Sequence, residues 1–126
     1  MGTAPDLAIF GRVGVAKRAD WAPAHDLATV KRAAKTRGAT VNDLMLAAVA
    51  GGLRRYLEGR GEPISDAMTM IPVNLRPVDE PLPPYLGNRF ALVALELPLD
   101  AGTPVERLDA AHDRMEVIKA GPEVLL

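Results

Sequence analysis

The sequence predicts an α/β (α+β) domain, a small mixed sheet covered by helices. Three observations carry this. Two stretches with helical spacing of apolar residues follow one another directly, at about 24–37 and 41–58. Two strand-like stretches, AMTMIPVNL (67–75) and RFALVALEL (89–97), flank a proline-rich segment. A third helical pattern, TPVERLDAAHDRMEVIKAG, then follows. Helices with an apolar stripe must lie on something apolar, and the order helix, helix, strand, loop, strand, helix supplies a sheet for them.

Residues 1–22 are a lead-in of mixed character, in which VGVAKRA (13–19) could form a strand. The first helix should run from about Ala24 to Arg37, with Leu27, Val30, Ala33 and Ala34 on its inner face. Gly38 stands at its stop, preceded by Lys35 and Arg37, cations well placed for the negative end of the helix dipole. The second helix should begin at Val41 and run to about Glu58. Thr40 and Asp43 form a shortened capping box at its head. From Leu44 to Leu53 it is apolar around its whole circumference, the pattern of a helix buried on most sides. Gly51 and Gly52 each cost about 1 kcal/mol relative to alanine in a helix interior, a cost usually tolerated where another backbone comes close.

Gly59 and Gly61 break the chain, and EPISD is a loop. In the first strand Thr69, Ile71, Val73 and Leu75 share one face while Met68 and Met70 share the other. Pro72 argues for an edge position or a bulge. RPVDEPLPPYLGN, with four prolines, is an irregular loop. The second strand is apolar on both faces up to Glu96 and reads as an interior strand. The last helix has a strong start, with Thr103 as N-cap, Pro104 at the first helical position and Glu106 completing a capping box. Its stripe of Val105, Leu108, Ala111, Met115 and Ile118 should pack inward.

Composition narrows the function. At 126 residues the chain is at most one domain, and 48% hydrophobic with 25% charged residues is an ordinary globular balance. Fifteen Lys and Arg against sixteen Asp and Glu leave a net charge of −1, which offers no field to recruit nucleic acid. The absence of cysteine excludes disulfides, thiol nucleophiles and zinc–thiolate sites, and fits a cytoplasmic protein. The longest apolar run, LMLAAVAGGL, has ten residues where a bilayer span needs about twenty. No basic segment followed by an apolar core opens the chain, so no signal peptide is expected.

Candidate chemistry is sparse. The histidines are His25, placed in the first turn of its helix, and His112, beside the apolar stripe of the last one and read as a boundary residue. Asp26, Asp43 and Asp113 are conceivable general bases, but the sequence pairs none of them with a nucleophile. No nucleophile elbow, phosphate-cradling loop or metal-ligand spacing is present. Asn42 is a mediocre helix former that capping does not explain.

The segments GATVNDLMLAAVAGGLRRYLEGRG, IPVNLRP, LGNRFALVALELPL and TPVERLDAAHDRM, in this order, resemble the C-terminal half of the bacterial wax ester synthase/diacylglycerol O-acyltransferase family. The Asn42-Asp43 pair is the most specific element, supported by IPVNLR and by Gly87-Asn88. The same order of elements recurs more distantly in chloramphenicol-acetyltransferase-like and condensation domains of the CoA-dependent acyltransferase superfamily. The resemblance implies half of a two-lobed fold, with residues 23–126 a partial C-terminal lobe. It also implies acyl-CoA as co-substrate, with no tightly bound cofactor. The family's catalytic motif, His-His-x-x-x-Asp-Gly, belongs to the other lobe, and this sequence has no adjacent histidines. It also lacks the family's later Ser-Asn-x-Pro-Gly-Pro type segment. The expectation is therefore a fragment or split product, inactive alone, that needs an N-terminal lobe from the same gene or a neighbour, or self-association, and that works on lipid substrates. Contact with a membrane or lipid droplet would then be peripheral.

On the resemblance, Asn42 and Asp43 shape the cleft from the second lobe, by cap and lobe-to-lobe hydrogen bonds in the favoured reading and by touching acyl-CoA or acceptor in the other. Arg76 could neutralise a CoA phosphate or form a surface salt bridge. Asn88 after Gly87 could orient a loop at the cleft mouth or simply start the strand. Two alternatives stand beside the lipid enzyme: a condensation-type acyltransferase using carrier-protein thioesters, and a non-catalytic partner lobe or lipid- or subunit-binding remnant.

Overall fold

The computed structural model describes residues 9, 11–77, 79–85 and 87–121. Expectations that fall on residues 1–8, 10, 78, 86 and 122–126 lie outside the described residues. The element order is α1 (Leu27–Lys35), α2 (Val41–Gly59), β1 (Ala67–Asn74), β2 (Phe90–Leu97) and α3 (Pro104–Ala120). This is the α/β (α+β) class, with a two-stranded antiparallel sheet.

Residues 11–26 form no helix and no strand. The strand expected over 13–19 is absent because no sheet edge takes it up: Val13 and Val15 are 84% and 99% exposed. Helix α1 starts later than its apolar pattern suggests. The Asp26 carboxylate accepts from the Thr29 N–H at 2.8 Å and from the Thr29 hydroxyl at 2.7 Å, and so fixes the N-cap. His25 therefore precedes the cap instead of lying in the first turn. Of the expected inner face only Ala34 is buried, and Leu27 and Ala33 are exposed. At the far end Gly38 adopts φ +67°, the left-handed turn that lets α2 begin at once.

Helix α2 carries a complete capping box between Thr40 and Asp43. Asp43, Ala47, Ala50 and Leu57 form its buried face. Enclosure on most sides is not what the fold provides. Met45, Val49 and Tyr56 are each about half exposed, because α2 is covered by α3, α1 and the sheet on its other sides only.

The strands pair in one register from Ala67↔Leu97 to Asn74↔Phe90. Pro72 sits opposite Leu92 without a bulge, tolerable because among the described residues β1 has a free edge. Inner-face residues alternate as the period-2 pattern requires. The expectation that β2 is interior needs correction. Among the described residues it has one neighbour, and its second face, with Phe90 and Leu92, is exposed. Apolarity on both faces marks a strand made to be covered twice, and here it is covered once.

Helix α3 opens as read, with Thr103, Pro104 and Glu106 in their capping positions. Leu108, Ala111 and Met115 are buried and Ile118 is half-buried, whereas Val105 points outward and is half exposed. The core joins Ala50 and Leu57 of α2, the inner sheet residues Ala67, Leu95 and Leu97, Leu99 just beyond β2, and Met115 of α3. A satellite of Ala47, Leu108 and Ala111 seals the two helices at their other end. No helix among the described residues is long and apolar enough to cross a membrane.

Candidate functional site

Asn42, Asp43 and His112 meet where the head of α2 packs on α3, while Arg76 and Gly87 lie at the neck of the β1–β2 loop. Asp43 is fully buried. Its Oδ2 accepts the Thr40 N–H at 2.8 Å, while its own N–H donates to the Thr40 hydroxyl at 3.2 Å. The same Oδ2 takes a second donor, His112 Nδ1, at 2.9 Å. A carboxylate can only accept, so Nδ1 carries the proton. Oδ1 is buried and has no hydrogen-bond partner among the described residues.

Burial by itself would push the Asp43 carboxyl up. The hydrogen bonds from the Thr40 amide, from His112 and from the Thr40 hydroxyl, with the nearby Lys119 charge, outweigh it and hold the group below the usual carboxylate value. His112 moves the other way. Its hydrogen bond to Asp43 raises it above the usual imidazole value against some desolvation, helped by the negative charges of Asp43, Glu116 and Asp113. The bond joins α2 to α3 across 69 positions of sequence. His112 is thus a fastener and not a bystander at the edge of a stripe. Sequence reading missed it because no local spacing reports such a pair; the only hint was a polar ring beside an apolar stripe.

Asn42 and Asp43 are adjacent but divided in task. Asp43 turns inward, while Asn42 is exposed and makes no hydrogen bond among the described residues. Asn42 lines a hollow of about 280 Å³ with Asn74, Lys119, Val73 and Met115. Asn74 also borders a second hollow, of about 440 Å³, with Arg76, Leu82 and Arg89. Arg76 donates through a guanidinium nitrogen to the Gly87 carbonyl, and its own N–H donates to Asn74 Oδ1 at 3.0 Å. It therefore closes the neck of the proline-rich loop. Asn88 is exposed beside that neck. Asn74, which connects the two hollows, was not singled out from sequence; its place in IPVNLR was the available signal.

Chemically the arrangement can orient and bind. Asp43 is occupied and out of reach of solvent, which removes it as a base acting on a substrate. His112 keeps Nε2 as its remaining functional atom, and no hydrogen bond among the described residues links that ring to a hydroxyl nucleophile. No group of three or more candidate metal ligands occurs among the described residues.

Comparison with known proteins shows what the sequence is similar to. Residues 86–126 match the family model for the WS/DGAT C-terminal domain. A Mycobacterium tuberculosis protein named "Putative diacyglycerol O-acyltransferase" is 43% identical over 94 residues, 74% of this chain and 20% of that protein. The chain is related to the WS/DGAT family. Two further Mycobacterium tuberculosis proteins of the same name are 39% identical over 71% of this chain and 40% identical over 65% of it. The matches cover 18% and 16% of those proteins, so the chain spans about a fifth of the length of the curated relatives it matches. No solved structure matches.

Proposed function

We propose that this chain is part of the second lobe of an acyl-CoA-dependent O-acyltransferase that esterifies diacylglycerol or a long-chain alcohol. Triacylglycerol or wax ester would be the product. The observation that carries this reading is the 43% identity over 94 residues to a protein bearing a diacylglycerol O-acyltransferase name. In the reaction, a general base takes the acceptor's hydroxyl proton, the oxygen attacks the thioester carbonyl, and the CoA thiol leaves. On this reading the base comes from a His-His-x-x-x-Asp-Gly lobe. This chain supplies a wall: Asp43 and His112 lock α2 to α3, and the lock presents Asn42 outward.

The test is transfer from labelled acyl-CoA to diacylglycerol by the purified chain, with and without a lobe carrying the histidine motif. The expected result is no ester from the chain alone and ester on mixing. Ester from the chain alone, lost on Asp43→Ala, would overturn the division of labour. A mixture in which the lobes associate but make no ester would count for a non-catalytic module.

A further inference from the structure

A trough lies between the end of α1, one face of α2 and the start of α3. It encloses about 590 Å³, within the range of small-molecule sites. It shares no lining residue with the hollow beside Asn42. Its floor is lined by small residues. Ala48 and Gly52 lie on it, and the α2 residues from Leu44 to Arg55 extend it by about 16 Å at 1.5 Å per residue. Val105 and Leu108 of α3 form an apolar wall, which accounts for the outward turn of Val105.

The two mid-helix glycines have different explanations. A Cβ on Gly51 would lie 3.2 Å from Arg107 Nε, so Gly51 lets that guanidinium rest against the helix. The close neighbour is thus a side chain, not the backbone that the sequence suggested. A Cβ on Gly52 would meet nothing within 4 Å. Nothing among the described residues requires Gly52, yet glycine there costs about 1 kcal/mol in helix propensity. What its absent side chain does is keep the trough floor open.

Charge is unevenly placed along the trough. At the Leu44 end Arg37 is spent on a bidentate pair with Asp109. At the other end Arg107 uses Nη1 on the Ala101 carbonyl at 2.8 Å, leaving Nε and Nη2 over Gly51. Arg55, exposed beside it, makes no hydrogen bond or ion pair among the described residues. One end therefore offers unspent guanidinium donors, and the rest offers methyl and methylene surface. That polarity fits a single alkyl chain with an anionic head. An extended peptide fits worse, because the lining supplies mainly donors and would leave its N–H groups unpaired.

We infer that this trough binds one long-chain fatty acid, its carboxylate held by Arg55 and Arg107 and its alkyl chain laid over Gly52 and Ala48 against Val105 and Leu108. The trough shares no lining residue with the hollow beside Asn42, and the inference stands whether or not the proposed reaction is correct. The test is titration of the 126-residue chain with palmitate, read by calorimetry and by displacement of a fluorescent fatty acid. One saturable site is expected. Arg55→Glu and Gly52→Leu should each weaken it about tenfold or more, the scale of a lost charged hydrogen bond or a filled floor. Gly52→Leu should do so with a melting temperature unchanged or raised, since its side chain meets open space. If that variant does not fold, Arg55→Glu at the exposed rim carries the test alone. Hexadecanol, with the same chain and no charge, should bind at least tenfold more weakly. Val117→Ser, at a 73% exposed apolar position outside the trough, should leave palmitate binding unchanged. Absence of saturable binding, equal affinity for hexadecanol, or affinity indifferent to the trough variants would overturn the inference. So would loss of self-association in Gly52→Leu without any palmitate binding, which would make the trough a protein interface.

Discussion

Asp43 makes three hydrogen bonds with no exposed surface, two in its own helix cap and one to His112. Removing it as Asp43→Ala frees two donors at once and should lower stability by about 2 kcal/mol, measured by urea denaturation. The pair also sets a pH window. His112 is raised in the fold, so its contribution is full below the ordinary imidazole value of about 6.5 and is lost as pH rises through the raised one. Asp43 is lowered, so its contribution is present above the ordinary carboxylate value of about 3.9 and is lost as pH falls through the lowered one. Thermal melts against pH should therefore show two limbs, with His112→Gln flattening the alkaline limb. Proton NMR of the His112 ring should give a titration midpoint above the ordinary value that drops on Asp43→Asn. A midpoint unmoved by that change would mean the bond does not form in solution. Half of this was legible in the sequence. The Thr-x-x-Asp box is a local pattern and named its own cap. The histidine partner lies on another helix, and only packing brings it near.

Helix ends were the most readable elements, because their signals are short-range. Thr103, Pro104 and Glu106 fixed the start of α3 without reference to anything else. The start of α1 was read early because its apolar spacing extends past Asp26, whose carboxylate accepts the Thr29 amide and so fixes the cap there. The glycine pair within α2 gives a sharper contrast. Gly52→Ala should raise stability by about 0.5–1 kcal/mol, the full propensity gain, since its Cβ enters open space. Gly51→Ala should gain less or nothing, because Arg107 must shift to admit it. Equal gains by calorimetric melting would mean that Arg107 does not lie on α2. Arginine clamps are the elements that no periodicity reveals. Arg54 Nη1 donates to the carbonyls of Leu99 and Asp100 at 2.8 and 2.9 Å, and its Nε meets Glu58 at 2.8 Å. It thereby pins the β2–α3 connection to α2. Arg54→Met keeps much of the stem packing and should cost about 1–3 kcal/mol in denaturant unfolding through carbonyls left short of donors.

At the scale of the whole molecule, the class followed from the order of elements, while the extent of burial did not. Apolar pattern says that a face wants cover and is silent on whether the cover lies within the chain. For β2 the pattern asked for two covered faces and the described residues cover one, leaving Met68, Met70, Phe90 and Leu92 exposed on a single side of the sheet. A two-stranded sheet is marginal without such cover, and a contiguous apolar face of this kind marks an interaction surface. The match spans about a fifth of the length of the relatives, and on the proposed reading the rest of the enzyme would supply the cover. The purified chain should therefore self-associate through this face, in sedimentation experiments that show mass rising with concentration. Leu92→Lys with Met70→Lys should return it to a monomer, because both charges would be desolvated at the contact and would face like charges from the second copy. The same double variant should weaken association with a lobe carrying the histidine motif if that lobe uses this face. A chain already monomeric across all accessible concentrations, whose binding of an apolar dye is unchanged by the double substitution, would show that the bare sheet needs no partner.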